Sequence, residues 1–152
     1  MDELLISHAQ PADLDDLLGL YLHLDPRDEK APLEEAGETL HQIGRYEGSA
    51  ILIGKVRGQM VATCTLIVIP NLTRRGRPYA LIENVVTHSS WRQRGFGAAL
   101  LKAAADLAWQ NECYKVMLMT GSIEPGVLAF YAKVGFEQNK TGFQMRRYPV
   151  RK

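Results

Sequence analysis

Apolar and polar positions divide the chain into short periodic runs, and the period changes several times. Residues 4–8 (LLISH) predict a first strand. Gln10-Pro11-Ala12-Asp13 predicts a helix start, with proline at a first helical position and acids in the first turn. Leu14, Leu17, Leu18, Tyr21 and Leu22 then fall on one helical stripe, which Asp25-Pro26 ends. Pro32 opens a second helix through Leu33, Ala36, Leu40 and Ile43. Residues 49–56 (SAILIGKV) and 59–69 (QMVATCTLIVI) predict strands joined by Arg57-Gly58, a turn too short for anything but an antiparallel hairpin. Pro70–Pro78 (PNLTRRGRP) is a loop, and 79–87 (YALIENVVT) a further strand. Residues 95–110 predict a helix whose apolar face is Leu100, Ala103, Ala104, Leu107 and Ala108. A strand over 114–120 and a helix over 126–134 follow, the latter stopped by Gly135. Two last strands, near 135–138 and 142–148, bracket a turn at Asn139–Thr141.

The predicted order is βααβββαβαββ. The strand–helix–strand unit at 79–120 should be parallel and the hairpins antiparallel. The fold class is therefore α/β (α+β), a mixed, mostly antiparallel sheet of about seven strands with helices on both faces.

Composition narrows the picture chiefly by exclusion. With 152 residues, the chain is expected to be a single domain spanning 1–152. Its net charge of +1 gives no global field for nucleic acid or a membrane surface. No run approaches the ~20 apolar residues of a membrane span, and the N-terminus, MDELLISHAQ, lacks a basic segment before an apolar core. Cys64 and Cys113 form no CxxC pair and read as reduced, buried thiols. The expectation is a soluble, cytoplasmic protein. His23, His41 and His88 show no ligand spacing, so no metal is expected, and Trp91 and Trp109 read as packing residues.

The strongest local signal is Arg92-Gln93-Arg94-Gly95-Phe96-Gly97-Ala98, between a strand and a helix. A helix N-terminus leaves about four N–H groups unpaired. Glycines let that backbone approach a phosphate closely, and Arg92 and Arg94 can add charge-assisted hydrogen bonds. The loop is not a Walker A loop, which needs Gly-Lys-Ser/Thr. It lacks the third glycine of a dinucleotide fingerprint, Leu100 standing there, and it lies more than halfway along the chain. The acyl-CoA pattern R/Q-x-x-G-x-G/A fits Arg92, Gly95 and Gly97; a glycine-containing turn with surface arginines is the plainer alternative.

The stretch from about residue 58 to 148 resembles the GNAT (Gcn5-related N-acetyltransferase) superfamily. The resemblance rests on Gly58-Gln59-Met60-Val61-Ala62, Ile82-Glu83-Asn84-Val85-Val86, WRQRGFGAALL, Cys113-Tyr114-Lys115-Val116 and Phe130-Tyr131-Ala132-Lys133-Val134-Gly135-Phe136, in that order. Within the family it is nearest in look to the glucosamine-6-phosphate and aminoalkylphosphonate acetyltransferases. The resemblance implies an enzyme that moves an acetyl group from acetyl-CoA to a primary amine of a small molecule, by direct attack in a ternary complex. It implies a pyrophosphate clamp at Arg92, Gln93, Arg94, Gly95, Phe96, Gly97 and Ala98. It further implies pantetheine pairing along Val85, Val86 and Thr87, where one N–H would stabilise the oxyanion, and a homodimer. Glu83 is the candidate base, or else a structural carboxylate; only one of Glu83 and Asn84 can face the acceptor, because side chains alternate along a strand. Tyr131 stands where the family places its general acid, or else packs beside Phe130. The chain departs from many relatives at Ser122-Ile123-Glu124-Pro125-Gly126, which carries no asparagine. Arg74, Arg75 and Arg77 could hold a phosphate or phosphonate on the substrate, or be a solvated loop or a subunit contact. Two other functions fit the same residues: a peptide or protein N-acetyltransferase, and a non-catalytic acyl-CoA-binding module.

Overall fold

A computed structural model describes residues 2–149. The chain forms two compact units, one running to Leu118 and one beginning at Met119.

The first unit is a five-stranded sheet in the order β1-β2-β3-β4-β5. Its strands are β1 (Leu5–His8), β2 (Ala50–Val56), β3 (Gln59–Ile69), β4 (Tyr79–Thr87) and β5 (Val116–Leu118). β1 to β4 are successively antiparallel, and β4–β5 is parallel. Between the first two strands lie a 3₁₀ turn (Pro11–Asp13), α1 (Leu14–Tyr21) and α2 (Leu33–Gly44). The turn carries a capping box, with Asp13 Oδ2 accepting from Gln10 N–H at 2.8 Å, and Lys55 Nζ of β2 donates to Asp13 Oδ1 at 2.7 Å. That pair fixes where α1 leaves the sheet and holds the Asp13 carboxyl below its ordinary pKa.

Strand alternation sorts the core into two layers. Ile51 and Ile53 pack with Leu14, Leu17 and Leu20 of α1 and Ala36 of α2. Their neighbours Leu52, Cys64, Leu66 and Ile82 face the other way, onto the helix α4 (Phe96–Gln110), which buries Leu100, Leu101, Ala104 and Ala108. Each buried leucine or isoleucine among them contributes about 1.5–3 kcal/mol by leaving water. The single turn between β3 and β4, α3 (Thr73–Gly76), is wound left-handed at Arg74 (φ 53°) and Arg75 (φ 62°).

The second unit holds α5 (Pro125–Val134) and an extended segment after it. Here the structure corrects the sequence reading. The last two predicted strands, near 135–138 and 142–148, are not formed, so the sheet has five strands rather than seven and the order ends …βαβα. Gly135 (φ 123°) closes α5, and Phe136 N–H turns back to Tyr131 O at 3.1 Å. Asn139 N–H then bonds Glu137 O at 3.1 Å, which curls the chain rather than extending it. Phe143 and Met145, which the alternating pattern would have placed on one strand face, are almost wholly exposed. A hairpin of two strands with no apolar layer of its own is marginal, and no residue of α5 is buried. The predicted strand over 114–120 is likewise shorter, Val116–Leu118. The mixed α/β class, the first five strands and the four main helices stand as read.

Candidate active site

β4 changes character in its middle. From Tyr79 to Ile82 it pairs β3 on one side and β5 on the other, the parallel pairing covering Ala80–Ile82 against Val116–Leu118. β5 ends there, so Glu83–Thr87 has no strand on that side among the described residues. The register against β3 also breaks. Thr65 lies opposite Glu83, but Thr63 lies opposite Val86, so two residues of β4 answer one of β3. Asn84 takes the extra residue in the left-handed region, φ 53°. This is a β-bulge, and asparagine is among the few non-glycine residues that tolerate that conformation.

The bulge settles which way side chains point. Thr63 and Thr65 are two apart on β3 and share a face, so Glu83 and Val86 share it too. That face is covered by α1 and α2, since Val86 belongs to their cluster. Glu83 is exposed on it. Near it, the Tyr21 hydroxyl of α1 lies beside the side chain of Thr65, the direct partner of Glu83, and burial pushes the Tyr21 phenol up. Sequence reading took Tyr21 as one more residue of a packing stripe; only the register of β3 with β4 brings its hydroxyl into Glu83's neighbourhood.

Backbone direction can be read as well. His88 N–H bonds Val61 O at 2.8 Å. By alternation, Val86 also turns its N–H and C=O to β3, while Val85 and Thr87 turn theirs to the opened side. Of the three residues named for pantetheine, Val85 and Thr87 thus present free edges and Val86 belongs to the ladder. The Thr87 carbonyl is already engaged, accepting from Arg92 Nε at 3.2 Å.

The loop after β4 begins with a 3₁₀ turn, Ser89–Trp91. Gln93 (φ 61°) and Gly95 (φ 82°) then reverse the chain into α4. No side chain caps α4, and its first intrahelical bond is Ala99 N–H to Gly95 O, 3.0 Å. The N–H groups of Phe96, Gly97 and Ala98 therefore have no partner within the helix, and the loop from Arg92 to Gly95 is exposed. This fits an anionic diphosphate: donors converge where the helix dipole is positive. The two arginines are arranged differently from each other. Arg94 stacks over Trp91 at 4.8 Å. Arg92 turns back, its Nη2 donating to His23 O at 3.1 Å. Trp91, expected only to pack, is also approached by Arg57 at 6.0 Å and by the Phe96 ring at 6.1 Å.

Arg74, Arg75 and Arg77 lie before Tyr79, at the opposite end of β4 from this loop, about 30 Å along nine extended residues. Asn71 Nδ2 holds their turn by donating to Thr73 O, Thr73 Oγ1 and Arg77 O. Arg74 stacks on Tyr114 at 5.9 Å, and Lys115 Nζ lies 5.3 Å from both Tyr79 and Tyr114.

In the second unit, Tyr131 packs edge-on against Phe130 (5.1 Å) and Phe136 (6.2 Å), and burial pushes its phenol above the ordinary value. Ser122 Oγ accepts from Glu124 N–H at 3.2 Å, so it serves its own turn ahead of α5. Among the described residues no group of three or more His, Cys, Asp or Glu could hold a metal ion, and no helix is long and apolar enough to cross a membrane.

A strand that leaves its parallel neighbour just before an uncapped helix defines the chain as an α/β protein with an anion-accepting strand–loop–helix site. More narrowly, it belongs to the acetyltransferase (GNAT) family, whose family model matches residues 14–136. It is 33% identical over 142 residues to the glucosamine 6-phosphate N-acetyltransferase of Trypanosoma brucei brucei, covering 90% of each chain. A solved protein of Agrobacterium tumefaciens str. C58, which carries a provisional acetyltransferase name, is 46% identical over 94% of this chain and 99% of its own, with TM-score 0.88. A Trypanosoma brucei acetyltransferase structure is 27% identical, with TM-score 0.83 over 95% of this chain and 99% of its own.

Proposed function

We propose that the protein acetylates the primary amine of a small, phosphate-bearing molecule, with acetyl-CoA as donor and direct attack in a ternary complex. The observation that carries this reading is the opened half of β4 running into the uncapped start of α4. The free edge of Val85 and the N–H of Thr87 suit an amide-bearing arm, and the amides of Phe96, Gly97 and Ala98 suit a diphosphate. The donor substrate supplies an activated thioester. The chain must then hold, orient and move protons. The N–H of Val85 or Thr87 stabilises charge on the acyl oxygen, an effect of about 3–4 kcal/mol for comparable donors. Glu83 takes the proton of the incoming ammonium, directly or through one water; its exposure lets an amine reach it. Tyr131 is the proton donor to the departing thiolate on family resemblance, and a raised pKa keeps its hydroxyl protonated at neutral pH. The class of amine follows the glucosamine 6-phosphate relative, with Arg75 and Arg77 as candidate phosphate partners.

The test is release of free thiol from acetyl-CoA with glucosamine 6-phosphate, aminoalkylphosphonates, polyamines and N-terminal peptides as acceptors. Turnover confined to the phosphorylated or phosphonylated amines is expected. Turnover with peptides alone moves the function to protein acetylation, and tight CoA binding with no thiol release on any amine removes the enzymatic reading. Gly97→Glu, which sets a carboxylate against the diphosphate, should weaken CoA binding on the order of a hundredfold with the circular dichroism spectrum unchanged. Unchanged affinity removes the site assignment.

A further inference from the structure

The loop between β4 and α4 is fastened to the end of α1 by side chains that the acetyl-transfer reading leaves unused. Arg92 bridges two carbonyls, Thr87 O on the opened edge of β4 and His23 O just past α1. His23 Nδ1 accepts from Ser89 N–H at 3.3 Å, and His88 Nδ1 accepts from Ser90 N–H at 3.1 Å. The two imidazole rings lie 4.0 Å apart, tilted by 36°. Both rings therefore carry their proton on Nε2, because an Nδ1 that accepts a hydrogen bond cannot hold one.

We propose that Arg92, His23 and His88 form a positioning latch that holds the diphosphate-binding loop against α1 only while both imidazoles are neutral at Nδ1, so that acidification loosens the loop and weakens CoA binding. A proton on either Nδ1 turns an acceptor into a donor facing a backbone N–H, and sets a cation against its stacked neighbour and the Arg92 guanidinium. Asp16 of α1 lines the same cavity of about 250 Å³ with Gln59 and Met60 of β3, and Asp25 is bonded to Arg27. Burial first, then His88 and Arg92, already hold His23 below its ordinary pKa. The cavity gives water a path to the ring nitrogens. Two of the five guanidinium donors of Arg92 go to carbonyls, which gives it a positioning role in the latch.

The part concerning CoA rests on the acetyl-CoA reading above, and the test keeps the two apart. Calorimetric titration of the full chain with dephospho-CoA, which lacks the titrating 3′-phosphate of CoA, should show Kd rising about tenfold between about pH 7.5 and pH 5.5. His23→Asn/His88→Asn, in which amide oxygens replace Nδ1 and do not titrate, should flatten that change to less than about twofold. A wild type without pH dependence, or a double variant with the wild-type slope, overturns the latch. Arg92→Gln should weaken binding while keeping the wild-type salt dependence of Kd; a shallower salt dependence means the guanidinium touches the diphosphate and also overturns it. Imidazole ¹⁵N shifts of the ligand-free protein decide the matter without CoA. Neutral Nε2–H tautomers, with Ser89 and Ser90 amide shifts following the imidazole titration, support the latch even if CoA never binds. Nδ1–H tautomers end it even if CoA binds well.

Discussion

The two halves of β4 are built from similar residues and end up with opposite duties. From Tyr79 to Ile82 the strand is flanked by β3 and β5, its even positions buried to the last few per cent of their surface: Ala80 at 0% and Ile82 at 1%. From Glu83 to Thr87 one flank is open, the register slips by one residue, and Glu83 and Asn84 are both exposed. The first half uses its hydrogen bonds and side chains on the protein itself. The second half pairs with a strand on one flank only among the described residues. A single left-handed residue, Asn84, separates the two regimes. The bulge also returns Val86 to the core face that Glu83 has left exposed, so the opened half stays anchored to α1 and α2.

The sharpest contrast is between neighbours across that boundary. Glu83→Gln should lower kcat by about 10²–10⁴ with thermodynamic stability within about 0.5 kcal/mol of wild type, since general bases carry that much rate and exposed side chains little stability. Thiol-release kinetics beside urea unfolding check both halves of the statement; a kcat within a few-fold of wild type makes Glu83 a structural carboxylate. Ile82→Ala should do the reverse. It empties a site packed beneath α4 and should cost about 2–5 kcal/mol in urea unfolding, while the protein that remains folded keeps its turnover. If Ile82→Ala lost turnover at full stability, the boundary would be misplaced by a residue.

How much of this contrast the sequence carried can be said residue by residue. The strand over 79–87, the helix after it and the glycine-opened loop are local: alternation, 3.6-residue spacing and Gly95 state them directly. The bulge is not local. Ile82-Glu83-Asn84-Val85-Val86 sets two polar and then two apolar residues side by side, which breaks alternation without saying where the pairing slips, and only pairing with Thr63 and Thr65 shows that Glu83 and Val86 share a face. The Tyr21–Thr65 and His23–His88 contacts join residues far apart in the chain, so no window of sequence contains them. The arginines of the loop were legible as charges but not as bonds. Arg92 carries the right charge for a phosphate, and two of its donors reach the carbonyls of Thr87 and His23. The two strands expected after Gly135 failed for a related reason, since alternation in Phe143 and Met145 describes a strand only where a partner strand exists to pair with it.

Asn84 itself offers the next smaller effect. With φ at 53°, a β-branched residue is strained there and glycine is not. Asn84→Val should destabilise by about 1–3 kcal/mol, measured by denaturant midpoint at constant m. Asn84→Gly should stay within about 0.5 kcal/mol of wild type. If valine is tolerated, the strand has regularised, and Val86 should then lose its place against Leu14 and Leu17. That outcome would also displace Glu83, so Asn84→Val would lose turnover with stability intact.

On β3, directly opposite the bulge, sits Cys64, wholly buried, and it gauges how tightly the second half is closed on that side. Burial pushes its thiol from 9.0 to about 12. Because the native pKa lies above the unfolded one, the unfolded chain loses its proton first. Stability from this group is intact below about pH 9 and declines as pH rises from there toward about pH 12. At about pH 8 the native thiol is neither ionised nor reachable, so a disulfide reagent should leave Cys64 unlabelled until the chain is unfolded. Mass spectrometry of the labelled peptide reads this directly. Rapid labelling in the native state would mean that the β3–β4 seam opens at the bulge, and that the slack in the second half of β4 extends beyond its free edge to the edge that pairs with β3.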